Sequence, residues 1–147
     1  MDAGVIVNDR ADLTVLAGAS GVHVGQTDLP PADVRRIVGT EAVVGLSTHT
    51  STQIDDALQQ AISYLAIGPV YGTATKATGY EAVGLNAVRD AVQRAAPRRV
   101  PVVAIGGMTL ASAPGAIEAG ADAVAVIGDL LIGDPEARAR QYLSALT

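Results

Sequence analysis

Six short runs of β-branched and aliphatic residues recur along the chain, at 4–7, 21–24, 42–46, 64–67, 100–105 and 123–127. Their nearly continuous apolar character predicts strands of a parallel sheet covered on both faces. The intervening stretches follow a helical period. Val34, Ile37 and Val38 share a face over 31–38, as do Leu85, Val88 and Val92 over 85–95. Helix starts are marked by Asp28 ahead of Pro30 and Pro31, by Thr50 and Ser51, by Thr109, and by Asp134 ahead of Pro135. The stretches "AGASGVHVG" and "AGADAVAVIG" each predict a helix stopping at glycine, a short turn and a buried strand, the mark of successive βα units. About six such units follow one another with no linker or low-complexity stretch, so residues 1–147 read as a single domain.

Two architectures fit that order. A chain of 147 residues suits an open doubly wound parallel sheet by length alone, whereas a closed eightfold βα barrel takes roughly 250. Composition narrows the function more than the fold. A net charge of -5 without a basic run argues against a nucleic-acid surface or a polybasic membrane anchor. The absence of cysteine removes disulfides, thiolate zinc sites and iron–sulfur clusters, and suits a reducing cytoplasm. No apolar run reaches the roughly 18 residues of a bilayer span, and the start lacks signal-peptide character. A small or metal-paired ligand in the cytoplasm is the expectation.

In either architecture ligands gather beyond the C-terminal ends of the strands. The residues there are Asn8 and Asp9; Gly25, Gln26 and Asp28; Ser47, Thr48 and His49; 68–76; Gly106 and Gly107; and Gly128 and Asp129. Carboxylates, amides, hydroxyls, one ammonium and two glycine turns are the components for holding magnesium and phosphate groups. Asp9 and Asp28 serve equally as helix N-caps or as ligands of a hard cation. Asn8 can cap a turn or donate to a phosphate. The glycines of "AIGGMT" and of "AVAVIGD" could cradle an anion or simply turn the chain. His49 could be an acid or base, or a loop residue held by the Thr48 and Thr50 hydroxyls. His23 lies inside a strand and reads as a packed, hydrogen-bonded core residue. The four tyrosines, Tyr64, Tyr71, Tyr80 and Tyr142, show no stacking pattern and read as structural. Lys76, the only lysine, stands out in the uncharged loop "YGTATKATG" beside Thr73 and Thr75.

Taken together, "VNDR", "GVHVGQTDLP", "VGLSTHT", "YLAIGPVYGTATK", "VGL", "VPVVAIGGMT" and "GADAVAVI" resemble thiamine-phosphate synthase, in the family's order and across nearly the whole chain. The resemblance implies a βα barrel and the coupling of hydroxymethylpyrimidine pyrophosphate to thiazole phosphate, giving thiamine phosphate and pyrophosphate with magnesium. It implies Asp9 and Asp28 as Mg2+ ligands and Asn8 as a contact of the pyrimidine pyrophosphate. Thr73, Thr75 and Lys76 would grip the leaving pyrophosphate or the neighbouring thiazole phosphate. Ser47 would face the reacting pyrimidine, and Gly107 with the Ile127 and Gly128 backbone would hold the thiazole phosphate. A lysine beside a divalent ion also fits the chemistry on its own terms, since charge builds on the departing oxygens.

The departures are as specific. The family's first two βα units, one with a Gln-x-Arg-x-Lys motif, have no counterpart here, so the expected barrel is incomplete, about six units of eight. Gly128 stands where the family commonly has serine and Gly72 where it commonly has proline. Two open strand edges would favour self-association, and the chain is expected to be a truncated product or a fragment needing a partner. Alternative functions are a non-catalytic phosphate-binding remnant and the related thiazole tautomerase, with His49 central; the Asn8–Asp9 and Thr73–Lys76 pieces speak against the latter.

Overall fold

A computed structural model describes residues 3–73 and 79–146. Six strands alternate with six helices: β1 (Ile6–Asn8), α1 (Ala11–Leu16), β2 (Gly21–Val24), α2 (Pro31–Val38), β3 (Val43–Thr48), α3 (Ser51–Ala57), β4 (Tyr64–Ile67), α4 (Gly84–Ala95), β5 (Val102–Ile105), α5 (Ala113–Glu118), β6 (Ala123–Ala125) and α6 (Pro135–Leu146). No helix among the described residues is long and apolar enough to cross a membrane.

Among the described residues all five strand pairings are parallel, and the spatial order is the sequence order, β1-β2-β3-β4-β5-β6. That order excludes the doubly wound alternative, in which the strand order reverses part-way across the sheet. Stepping always to the same side makes the sheet curl, and the result is a six-stranded half-barrel. Length had pointed the other way because it counts residues and carries no strand order.

The predicted runs become strands with small trims. Pro101 has no N–H to give the ladder, so β5 begins at Val102 rather than at 100. Coverage differs from expectation. Val22, Val24, Val44, Leu65, Ile67, Val102 and Ala104 are fully buried, in one cluster with Val34, Ile54, Val88 and Ala91 from the helices. The intervening residues His23, Ser47, Tyr64 and Ile105 are only half-buried, and the terminal strands β1 and β6 have no buried residue. Among the described residues the closed apolar core lies on the helix side of the sheet.

Local signals explain the connections. Thr50 Oγ1 accepts from the Gln53 N–H and caps α3, and Asp134 Oδ1 accepts from the Glu136 N–H ahead of α6. Asp28 caps no helix. The residue at the start of α2 is Pro30, and no side chain caps it. Thr109 sits one turn too early: its hydroxyl accepts from the Ser112 N–H, and α5 begins at Ala113. The Arg35 guanidinium donates to the carbonyls of Ala61, Gly39, Thr40 and Ala42 and to Ser63 Oγ, tying α2 to the entries of β3 and β4.

Candidate active site

Every strand delivers residues to one cavity of about 750 Å³ at the C-terminal rim. Asn8 and Asp9 follow β1; Gly25, Gln26 and Asp28 follow β2; Ser47 and His49 come from the end of β3. Thr73 enters after β4, Gly106 and Gly107 after β5, and Ile127 and Gly128 after β6. Thr75 and Lys76 lie outside the described residues.

The first acidic residue is held in an uncommon backbone. Asp9 has φ of 63°, the left-handed region that costs a non-glycine residue about 1 kcal/mol or more. Its N–H donates to the His23 carbonyl at 2.8 Å, and the next N–H, of Arg10, returns to the Asn8 carbonyl at 2.8 Å. Asp9 therefore sits at the apex of a tight turn against β2, and it does not cap α1, whose preceding residue is Arg10. Asp28 Oδ2 accepts from the Gly25 N–H at 2.7 Å, folding the loop after β2 back on itself. Neither carboxylate is a helix cap, so that explanation for them falls.

The glycine turn after β5 is required by space as well as by dihedral. Gly106 and Gly107 have φ of 93° and 64°. A Cβ on Gly106 would lie 2.5 Å from Pro69 Cα, and one on Gly107 would lie 2.6 Å from the Gly72 carbonyl oxygen. The backbone there comes close to the loop after β4, and no side chain fits between them. The turn after β6 is braced differently. Asp129 accepts from Arg138, from the Tyr142 hydroxyl and from the Leu110 N–H. This ties the Gly128 segment to α6 and to the loop that follows β5. Arg138 first, then Tyr142, hold the Asp129 carboxyl below the usual range, while burial and Asp129 push the Tyr142 phenol up.

Sequence reasoning missed three aromatic side chains here. His23 is not packed away: it lines the cavity, with Nδ1 2.8 Å from Tyr64 Oη and Nε2 2.7 Å from Ser47 Oγ. Tyr64 thus belongs to a polar chain leading to Ser47, and burial raises its phenol pKa. Tyr80 stacks on His49 with centroids 3.7 Å apart, which the tyrosine pattern did not suggest. His49 is held by Gly68 and not by the threonines: its Nδ1 donates to the Gly68 carbonyl at 2.5 Å, while Thr48 Oγ1 bonds the Ala66 carbonyl and Thr50 caps α3. The signal for His23 was present in its odd placement within "GVHV", but its partners depend on strand register.

As a donor set, the rim is hard and oxygen-rich. Among the described residues no group of three or more His, Cys, Asp or Glu side chains could hold a metal by itself. Asp9 and Asp28 both line this cavity, and two carboxylates with water and phosphate oxygens are a donor set that suits magnesium.

Comparison with known proteins gives this geometry a context. A family model described as thiamine monophosphate synthase matches residues 1–130. The thiamine-phosphate synthase of Koribacter versatilis is 47% identical over 142 residues, which are 97% of this chain and 65% of that protein. A Synechococcus protein of the same name is 45% identical over 143 residues, 97% of this chain and 39% of that one. The chain thus spans less than two thirds of the length of these curated relatives. Among solved structures, thiamine phosphate pyrophosphorylase from Pyrococcus furiosus superposes with a TM-score of 0.87 at 25% identity, over 99% of this chain and 68% of that one.

Proposed function

The chain belongs to the thiamine monophosphate synthase family, and on that premise we propose that its rim cavity couples hydroxymethylpyrimidine pyrophosphate to thiazole phosphate, releasing pyrophosphate. One observation carries the proposal. Residues singled out from positions scattered over the sequence (Asn8, Asp9, Asp28, Ser47, Thr73, Gly107, Ile127 and Gly128) line a single cavity.

Asp9 and Asp28 would hold magnesium, which when bound neutralises charge on the pyrophosphate oxygens. Asn8, with its amide, would orient the pyrimidine pyrophosphate. Ser47 would meet the pyrimidine ring. Thr73, with Thr75 and Lys76 that follow it in sequence, would bind the departing phosphates, and Lys76 would supply positive charge where negative charge develops. Backbone N–H groups at Gly107 and at Ile127 and Gly128 would take the thiazole phosphate, since glycine at 107 and 128 lets an anion approach the main chain. Both substrates are phosphorylated small molecules and neither needs a membrane, which agrees with work in the cytoplasm.

The edges support a further part of the proposal, self-association. Val5 and Leu16 on the β1 side and Leu131 on the β6 side are well exposed apolar residues. Sedimentation at rising concentration would reveal dimers or larger species; a constant monomer mass would remove this part.

Coupling itself is tested by incubating the chain with both substrates and following thiamine phosphate with and without magnesium. Magnesium-dependent product that disappears in Asp9→Asn with Asp28→Asn is the expected result. Phosphate binding with no product would instead favour a non-catalytic phosphate-binding role.

A further inference from the structure

One row of the sheet places Asn8, His23, Gly45 and Tyr64 side by side on four successive strands. Tyr64 and His23 belong to β4 and β2, with β3 between them, yet their side chains touch. They can do so because Gly45 leaves the intervening position empty. A Cβ at Gly45 would lie 2.1 Å from Tyr64 Cζ and 2.4 Å from its hydroxyl oxygen. The Tyr64 ring therefore crosses over β3, stacks at 5.5 Å on the His23 ring and bonds Nδ1 at 2.8 Å. The other nitrogen, Nε2, reaches Ser47 Oγ at 2.7 Å, two residues beyond Gly45 on the same face of β3. Gln26 Nε2 pins the Ser47 carbonyl at 2.6 Å, so the serine backbone is fixed as well.

We propose that Gly45, Tyr64 and His23 form a hydrogen-bond relay that fixes the Ser47 hydroxyl as a donor into the cavity, making this wall selective for a heteroaromatic ring nitrogen. The direction follows from giving the Tyr64 and His23 protons acceptors within the protein and leaving the one that faces the cavity for a ligand. In a neutral imidazole one nitrogen donates and the other accepts. If His23 carried its proton on Nδ1, it would donate to Tyr64, and the phenol proton would then need another acceptor. Among the described residues, His23 Nδ1 is the acceptor available to it. A half-buried O–H left without one is disfavoured. Burial also keeps the Tyr64 phenol protonated. Tyr64 therefore donates to Nδ1, Nε2–H donates to Ser47 Oγ, and the serine proton is left pointing to the cavity that Ser47 lines. In this scheme His23 and Tyr64 are positioning residues, and Ser47 is the group that meets the ligand. The ligand class rests on the coupling function proposed above; the relay does not.

The direct test is nitrogen-15 NMR of the full chain labelled at histidine, without ligand, at about pH 8, above the ordinary imidazole range. The chain has two histidines. His49 serves as an internal reference of the opposite tautomer, because its Nδ1 meets a carbonyl, which can only accept. His23 is expected to be protonated at Nε2, and Tyr64→Phe, which keeps the ring and removes only the donor, should shift it toward Nδ1 protonation. Wild-type His23 protonated at Nδ1 or at both nitrogens, or a tautomer unchanged by Tyr64→Phe, overturns the relay. A second arm titrates the aminopyrimidine pyrophosphate and an analogue with C–H replacing the ring nitrogen beside the amino carbon. Wild type should prefer the pyrimidine by about tenfold or more, and Tyr64→Phe should lose most of that preference with an unchanged fold by circular dichroism. Equal affinity in wild type overturns the selectivity. Binding of neither compound overturns the ligand class and the coupling function, while the tautomer spectra still decide the relay.

Discussion

Replacing Gly45 by alanine would put a methyl carbon 2.1 Å from Tyr64 Cζ and 2.5 Å from Cε1. Carbon atoms normally meet at about 3.5–4.0 Å, so the ring must withdraw by roughly 1.5 Å. A movement of that size breaks the 2.8 Å bond to His23. Overpacking of this kind costs about 1–3 kcal/mol, and the lost hydrogen bond about 1 kcal/mol. Removing a strand glycine returns roughly 0.5–1 kcal/mol by restricting the unfolded chain, leaving a net destabilisation of about 1–3.5 kcal/mol. The assay is urea unfolding of wild type, Gly45→Ala, Tyr64→Ala and the double variant. With Tyr64 reduced to alanine the methyl group enters vacated space, so Gly45→Ala should become neutral or slightly stabilising. The coupling energy between the sites, the overpacking and the lost hydrogen bond together, should then be about 2–4 kcal/mol. An equal penalty for Gly45→Ala in both backgrounds would refute the idea that this glycine exists to let the tyrosine pass.

Other consequences are equally concrete. Asp129 has a depressed pKa in the folded chain, through Arg138 first and Tyr142 second. Its stabilising contribution is therefore complete above about pH 4, the ordinary carboxylate value, and is lost as pH falls through the folded value. Melting temperature followed against pH should fall in that acid window for wild type and more shallowly for Asp129→Asn. Thr50→Ala removes the cap of α3 and should cost about 1 kcal/mol in urea unfolding. Asp9→Asn and Asp28→Asn should each lower magnesium-dependent coupling by about a hundredfold or more, measured as thiamine phosphate formed per unit time. Lys76→Ala should lower turnover at saturating substrate, because charge stabilisation confined to the transition state acts on kcat.

The strands were legible because their residues have to be apolar to cover a core, and Val22, Val24, Leu65 and Ile67 are among the fully buried side chains. The ends of those strands were legible too, since parallel topology sends polar loop residues to a common rim whatever the sheet's curvature. Curvature was not: barrel and open sheet differ in strand order, which the local pattern of β1 to β6 does not encode. Asp28 illustrates a second limit. Aspartate just ahead of two prolines looks like a cap, but its carboxylate turns back to Gly25, three residues earlier, and leaves α2 uncapped. His23 illustrates a third. Its neighbours in sequence are valines, and its polar partners lie 24 and 41 residues away, brought together by register and by the gap at Gly45.

On the proposed function, groups remote in sequence form one magnesium and pyrophosphate site at the strand ends. Titration of the nitrogen-15-labelled chain with magnesium pyrophosphate, followed amide by amide, tests it most directly. Shifts concentrated at Asn8, Asp9, Gly25, Asp28, Thr73 and Gly107, and present only when both ions are added, are predicted. Saturable shifts confined to the opposite end of the strands, or none at the rim at millimolar ligand, would contradict it.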